Sequence, residues 1–215
     1  MAKLYLKFKK LVEENLKYLI SSVLLAVPLY PKFPLFFLPG VSVSVRIEDF
    51  LILSVVLLFL SANITQIFKI IKNRFISLLL ISLFIALASS VFGSYLSQTT
   101  TLNVSLLHFF RRVEYLSLFV VSLFSIKKRE DALLLIKVLM LTIFYAFIYG
   151  MGQKYLDLPI ITTQNSEYSK GAALRYMPGG HLVSTFAGHY DLASYILLVS
   201  PILCLALFSF KNKIA

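Results

Sequence analysis

Long apolar runs, each bounded by a short segment that holds the charge, recur over residues 16–210, and this alternation limits the possible folds more than any other feature. A helix needs about 20 apolar residues to cross the hydrocarbon core of a bilayer. Inside that core an unpaired backbone N–H or C=O has no water to bond, so spanning segments of this length are restricted to helices. The pattern predicts an all-α, polytopic membrane helix bundle of about six transmembrane helices, over residues 16–30, 50–68, 75–92, 107–126, 132–152 and 185–210. Of the 215 residues 59% are hydrophobic, against roughly 45–50% in soluble domains. One transmembrane domain over 1–215 accounts for the chain, with residues 153–184 as an extracytoplasmic loop.

The net charge of +11 does not describe a nucleic-acid surface, because the Lys and Arg residues sit in short connectors beside apolar runs, where they set topology. Lys3, Lys7, Lys9, Lys10 and Lys17 place an amphipathic N-terminal segment on an anionic inner leaflet. No small-residue cleavage site comes after it, so the first run reads as a retained signal anchor. Six spans then put both termini in the cytoplasm, with fourteen of the 21 Lys and Arg residues inside and seven outside, in accord with the positive-inside rule. Pro28, Pro31 and Pro34 end the first helix and predict an irregular stretch at the outer interface. Cys204 lies alone in an apolar run, and one cysteine forms no disulfide within a chain. Asn63-Ile-Thr65 and Asn103-Val-Ser105 read as chance sequons, the first being inside a span.

Three polar clusters fall at or near the outer face. Arg46, Glu48 and Asp49 precede the second span, and acidic residues in a first turn favour the helix dipole. In the fourth span His108, Arg111, Arg112 and Tyr115 share one stripe by their i, i+3, i+4, i+7 spacing, and Glu114 is within reach of Arg111. Counting back ~20 residues from the cytoplasmic Lys127 puts Arg111 and Glu114 within the hydrocarbon. A charge there is costly unless it is paired or used. The third cluster, residues 175–195, holds Arg175, Gly179-Gly180, His181, His189 and Asp191. Arginine binds phosphate through a planar, permanently charged fork, so four arginines at one face point to an anionic ligand such as the diphosphate of a lipid carrier. His181 and His189 read either as general bases or as polar contacts. Asp191 reads as a cap or as a residue that orients His189, although at two residues' separation it is off the same helical face and makes no catalytic pair with it. No His/Cys/Glu set has metal-ligand spacing, so neither a metal nor a cofactor is expected.

Four stretches carry a family resemblance: Tyr30-Pro-Lys-Phe-Pro-Leu, Arg46-Ile-Glu-Asp-Phe, Arg111-Arg-Val-Glu-Tyr, and Ser184-Thr-Phe-Ala-Gly-His-Tyr-Asp-Leu-Ala-Ser-Tyr. The chain resembles the O-antigen ligase and O-antigen polymerase family of membrane glycosyltransferases. The resemblance implies a multi-span enzyme of the bacterial cytoplasmic membrane that works on the extracytoplasmic side. It implies transfer of a glycan from undecaprenyl diphosphate to a lipid-linked or protein acceptor, with inversion and without metal, the arginines stabilising the departing diphosphate. Arg175, in Arg-x-x-x-Gly, matches a substrate-binding arginine of that family. Family members have about twice as many spans and carry a basic histidine further downstream, so the chain is expected to correspond to the N-terminal half, without the catalytic base. Two rival classes remain: a transporter or flippase of lipid-linked sugar, and a non-catalytic membrane scaffold.

Overall fold

The computed structural model describes residues 2–30, 34–37, 44–96, 101–160, 176, 178–186 and 188–211. Most of them are helical: α1 (Ala2–Leu29), α2 (Ile47–Ala62), α3 (Ile67–Ile71), α4 (Arg74–Tyr95), α5 (Leu102–Ser125), α6 (Arg129–Tyr155) and α7 (His189–Lys211), with a 3-10 turn at Ile64–Gln66. The helical class agrees with the sequence. One departure from all-α is a two-stranded antiparallel hairpin, β1 (Pro34–Phe37) and β2 (Ser44–Arg46), where an irregular stretch was expected. Pro34 is the first residue of its strand, where its missing N–H disturbs the ladder least, and a bulge separates it from Phe36.

Among the described residues two helices, α4 and α6, are long and apolar enough to cross a membrane, and α2 with the 3-10 turn and α3 makes a third if that bent pair is one span. Only 6% of the most apolar window of α4, and 17% of that of α6, is buried in the protein. A helix that is apolar all round and so little covered is suited to a lipid solvent.

The described residues form two compact units, Met1–Ile20 with Asp49–Lys127, and Ser21–Glu48 with Lys128–Ala215. In the first, α1 buries Val12, Leu16 and Ile20, and α2 buries Ile52, Val55 and Phe59. The Phe59 ring meets Phe124 of α5 at 5.4 Å. Tyr5 Oη donates to the Ala62 carbonyl at 2.9 Å, which satisfies an acceptor at the end of α2. The helix α4 packs on α5, and Ser94 and Ser105 join them by a 3.0 Å hydroxyl bond.

The segment expected as the second span, 50–68, is not one straight helix, because α2 ends at Ala62 and the chain turns by 68°. Asn63 is the cause. Its side-chain Nδ2 donates to the Phe59 carbonyl at 3.0 Å while its backbone N–H is shared between the Phe59 and Leu60 carbonyls, and a short asparagine that bonds its own backbone diverts the helical ladder. The helix α4 then starts cleanly, with Asn73 Oδ1 accepting the Phe75 N–H at 3.0 Å as an N-cap.

In the second unit α6 packs with α7. Asp131 opens α6 by accepting the Lys128 backbone N–H at 3.0 Å. Pro28 inside α1 has no N–H for the Leu24 carbonyl, and the Thr142 hydroxyl of α6 stands 3.4 Å from that oxygen and 2.8 Å from the Val138 carbonyl. The helix α6 runs to Tyr155, past the expected boundary at 152, and stops where Asp157 takes a left-handed conformation with φ 53°. Gln153, placed by sequence at the start of the outer loop, is therefore inside the helix and 1% exposed.

Gln153 organises the turn that leads into α7. Its Oε1 accepts the Ser184 N–H at 2.8 Å, and its Nε2 donates to the Ser184 carbonyl at 3.0 Å and to the Pro159 carbonyl at 3.3 Å. One carboxamide thus fills the backbone needs of Ser184, whose φ of 56° is costly for a residue with a Cβ. Ser184 Oγ donates to the Ala146 carbonyl, and Thr185 Oγ1 donates to the Pro28 carbonyl at 2.6 Å. Gly150 makes the close approach possible, since a Cβ there would lie 2.6 Å from Leu182 Cδ2. Because residues 184–186 are held in this turn, the last helix begins at His189, not at 185 as the apolar pattern implied. The first turn of α7 closes with the Leu192 N–H on the Gly188 carbonyl at 3.2 Å.

Gln153→Leu leaves the buried Ser184 N–H and C=O without partners, and a loss of about 2–3 kcal/mol is expected in the stability of purified protein in micelles. Thermal unfolding by circular dichroism measures it, and an unchanged midpoint would mean that Gln153 does not hold this turn.

Candidate functional site

The described residues of the first unit include a charged pair on facing helices. Arg111, in the third turn of α5, extends Nη2 to both carboxylate oxygens of Asp49 at 3.0 and 3.1 Å. Asp49 occupies the first turn of α2, so it balances both the helix dipole and the guanidinium. Each side chain is about one-fifth exposed, at 20% and 18%. Arg111 also stands 5.9 Å from the centre of the Tyr115 ring one turn along, a cation–π contact. Sequence spacing offered Glu114 as the local partner of Arg111. The structure adds a partner on another helix, 62 residues away, which no helical period reveals.

Beside this pair lies a cavity of about 330 Å³. Asp49, Ile52, Leu53 and Val56 of α2 line it at i, i+3, i+4 and i+7, and Phe110, Val113, Glu114 and Ser117 of α5 line it at the same spacing. Two matching stripes face one another, apolar except for the two carboxylates and a hydroxyl. Of the expected stripe, His108, Arg112 and Tyr115 are exposed.

The second unit contains the remaining described candidate groups. Arg46 at the end of β2 pairs with Glu48 at 3.3 Å, and both side chains are buried, at 8% and 5% exposure. Taking both charges out of water is costly, and their mutual attraction offsets part of that cost. The acidic residues expected to act as helix-cap charges, Glu48 and Asp49, are thus also the counter-ions of two of the candidate arginines.

At the start of α7 His181 and His189 stack, with ring centres 4.5 Å apart and planes inclined by 21°, and the Tyr190 ring lies 4.1 Å from His189. Their eight-residue separation falls across a loop, so their contact was not legible in sequence. His181 is exposed and His189 half-buried. Asp191 is exposed in the first turn of α7. Arg175, Lys170 and residues 164–167, the polar centre of the expected loop, lie outside the described residues. Among the described residues no three His, Cys, Asp or Glu side chains come together as metal ligands.

The functional-looking residue that sequence reasoning missed is Gln153. A signal for it exists: a carboxamide near the end of an otherwise apolar run needs buried partners. Comparison of the chain with protein-family models, with curated proteins and with solved structures finds no match.

Removing one member of the Asp49–Arg111 pair strands a charge, so Asp49→Asn is expected to cost about 2–3 kcal/mol, while the double change Asp49→Leu with Arg111→Met stays within about 1 kcal/mol of the parent. Thermal unfolding of the three proteins checks this. A double variant as unstable as the single one would show that the pair's hydrogen bonds, not its charge balance, support the fold.

Proposed function

We propose that the protein is a bacterial inner-membrane protein of six spans with both termini cytoplasmic, and that it acts as a glycosyltransferase of the O-antigen ligase and polymerase kind on the extracytoplasmic side. The observation that carries this reading is the Arg111–Asp49 pair, set in apolar helices beside a cavity of about 330 Å³. Charged side chains in such a position mark function by default, since an inert span has no need of them. The uncovered apolar surface of α4 and α6 supports a membrane location, and the division of Lys and Arg supports the orientation.

In this reading the donor is a glycan on undecaprenyl diphosphate and the acceptor a hydroxyl on a lipid or protein. The acceptor oxygen forms a bond to the anomeric carbon as the bond to the diphosphate oxygen breaks, with inversion, and the acceptor's proton passes to a base. Arg175, with His181 and His189, takes the diphosphate as its negative charge grows. Arg111 and Arg112 meet phosphate at the outer boundary, and Glu114 and Tyr115 support them. Arg46, already paired with Glu48, steadies its own segment. A second reading, a membrane scaffold without catalysis, is favoured by the same ion pairs, since Glu48 and Asp49 already neutralise Arg46 and Arg111.

Topology is tested in a Cys204→Ser background with single cysteines at Lys3→Cys, Lys170→Cys and Lys213→Cys. A membrane-impermeant maleimide applied to intact spheroplasts is expected to label position 170 alone. Labelling at 3 or 213 overturns the orientation.

Function is tested with purified protein in nanodiscs and a radiolabelled undecaprenyl-diphosphate glycan. Saturable binding is expected, weakened roughly tenfold, about 1.4 kcal/mol, by Arg175→Ala. Absence of binding sinks the transferase reading and leaves the scaffold.

A further inference from the structure

The second unit holds a cavity of about 290 Å³ that the proposed transfer does not use. Ile143, Ala146, Phe147 and Met151 of α6 form one wall, Leu182 and Ser184 the floor, and Leu192, Tyr195 and Ile196 of α7 the other wall. Nearly all of this lining is hydrocarbon. The Ser184 hydroxyl is turned away to the Ala146 carbonyl, and the Tyr195 ring lies 5.1 Å from the Phe186 ring.

We propose that this cavity seats one acyl chain of a bilayer phospholipid, with the lipid phosphate against His181 and His189. Three observations identify the occupant. One wall belongs to α6, a helix long and apolar enough to cross a membrane, so the medium that reaches the cavity is lipid hydrocarbon. Size is the second. An apolar cavity of about 150 Å³ stays dry and takes up one benzene, so 290 Å³ accommodates roughly a dozen carbon atoms. That is most of an acyl chain but a small fraction of a long polyprenyl chain.

Polarity is the third observation. Along α7 the residues His189, Leu192 and Ile196 fall at i, i+3 and i+7, so the apolar wall continues into an imidazole about one turn, ~5 Å, beyond its end. Leu182 of the floor directly succeeds His181, whose ring stacks on His189. The apolar slot therefore ends in two stacked imidazoles, the order of groups an amphiphile presents. The apolar cavity needs no transferase activity, while His181 and His189 at its end are shared with the glycan-transfer reading.

The test uses proteoliposomes that contain a trace of phosphatidylglycerol with a diazirine on its acyl chain, with irradiation and then peptide mapping by mass spectrometry. Ile143, Leu182 and Leu192, half-buried in the cavity lining, are expected to be labelled above Phe144, Leu197 and Leu198, which are exposed on α6 and α7. Ile196→Trp fills the slot and is expected to lower cavity labelling at least about fivefold while Phe144 keeps its label. Ile143→Trp fills the opposite wall and decides the matter if the first variant does not fold. Equal labelling of cavity and exposed positions, or labelling indifferent to both variants, overturns the proposal. So does enrichment by a diazirine polyprenyl phosphate in place of the phospholipid.

Discussion

A backbone carbonyl or N–H in hydrocarbon has no water to turn to, and among the described residues several departures from regular helix are met by a specific side chain. Pro28 deprives the Leu24 carbonyl of its ladder bond, and Thr142 brings a hydroxyl within 3.4 Å of it. Thr185 covers the Pro28 carbonyl itself. Asn63 ends α2 by bonding to the Phe59 carbonyl, and Gln153 takes up both backbone groups of Ser184. Thr, Asn and Gln are expensive to bury without partners, so their presence in apolar runs marks the points where the backbone needs help.

The same constraint governs charge. Arg111 in α5 and Arg46 in β2 sit where a free guanidinium is costly, and each has a carboxylate within 3.3 Å. Glu48 and Asp49 are consecutive in the sequence, yet they serve different arginines, one two residues back and the other on a different helix. Pairing of this kind leaves an arginine well positioned and less available as a direct anion ligand, which is why the reading of function gives the growing charge of the diphosphate to Arg175 and the histidines and leaves Arg111 a boundary contact with phosphate. It is also why the scaffold reading draws support from the same contacts.

Much of the architecture was legible because apolar run length and flanking charge are direct consequences of bilayer thickness and dielectric. The helices expected over 75–92 and 132–152 lie within a few residues of α4 and α6. What sequence periodicity misses is the breaks. Hydropathy did not distinguish 63–68 from the run before it, since Ile64, Ile67 and Phe68 continue the apolar pattern while Asn63 reroutes the hydrogen bonds. Nor did it place the start of α7, because the Ser184 turn depends on Gln153 from 31 residues away. Among site residues, the i, i+3, i+4, i+7 stripe in α5 was readable from spacing, whereas the Asp49–Arg111 pair and the His181–His189 stack required long-range contacts.

The sequence by itself determined that this is a mostly helical chain with segments fit for a bilayer, because local apolar length and local charge are sufficient for that inference. Only the tertiary structure decided which carboxylate faces which arginine, where α2 and α7 stop and start, and that His181 and His189 stack on one another. Those outcomes rest on hydrogen bonds and contacts between residues far apart in the chain, and distance along a sequence carries no information about which of them meet.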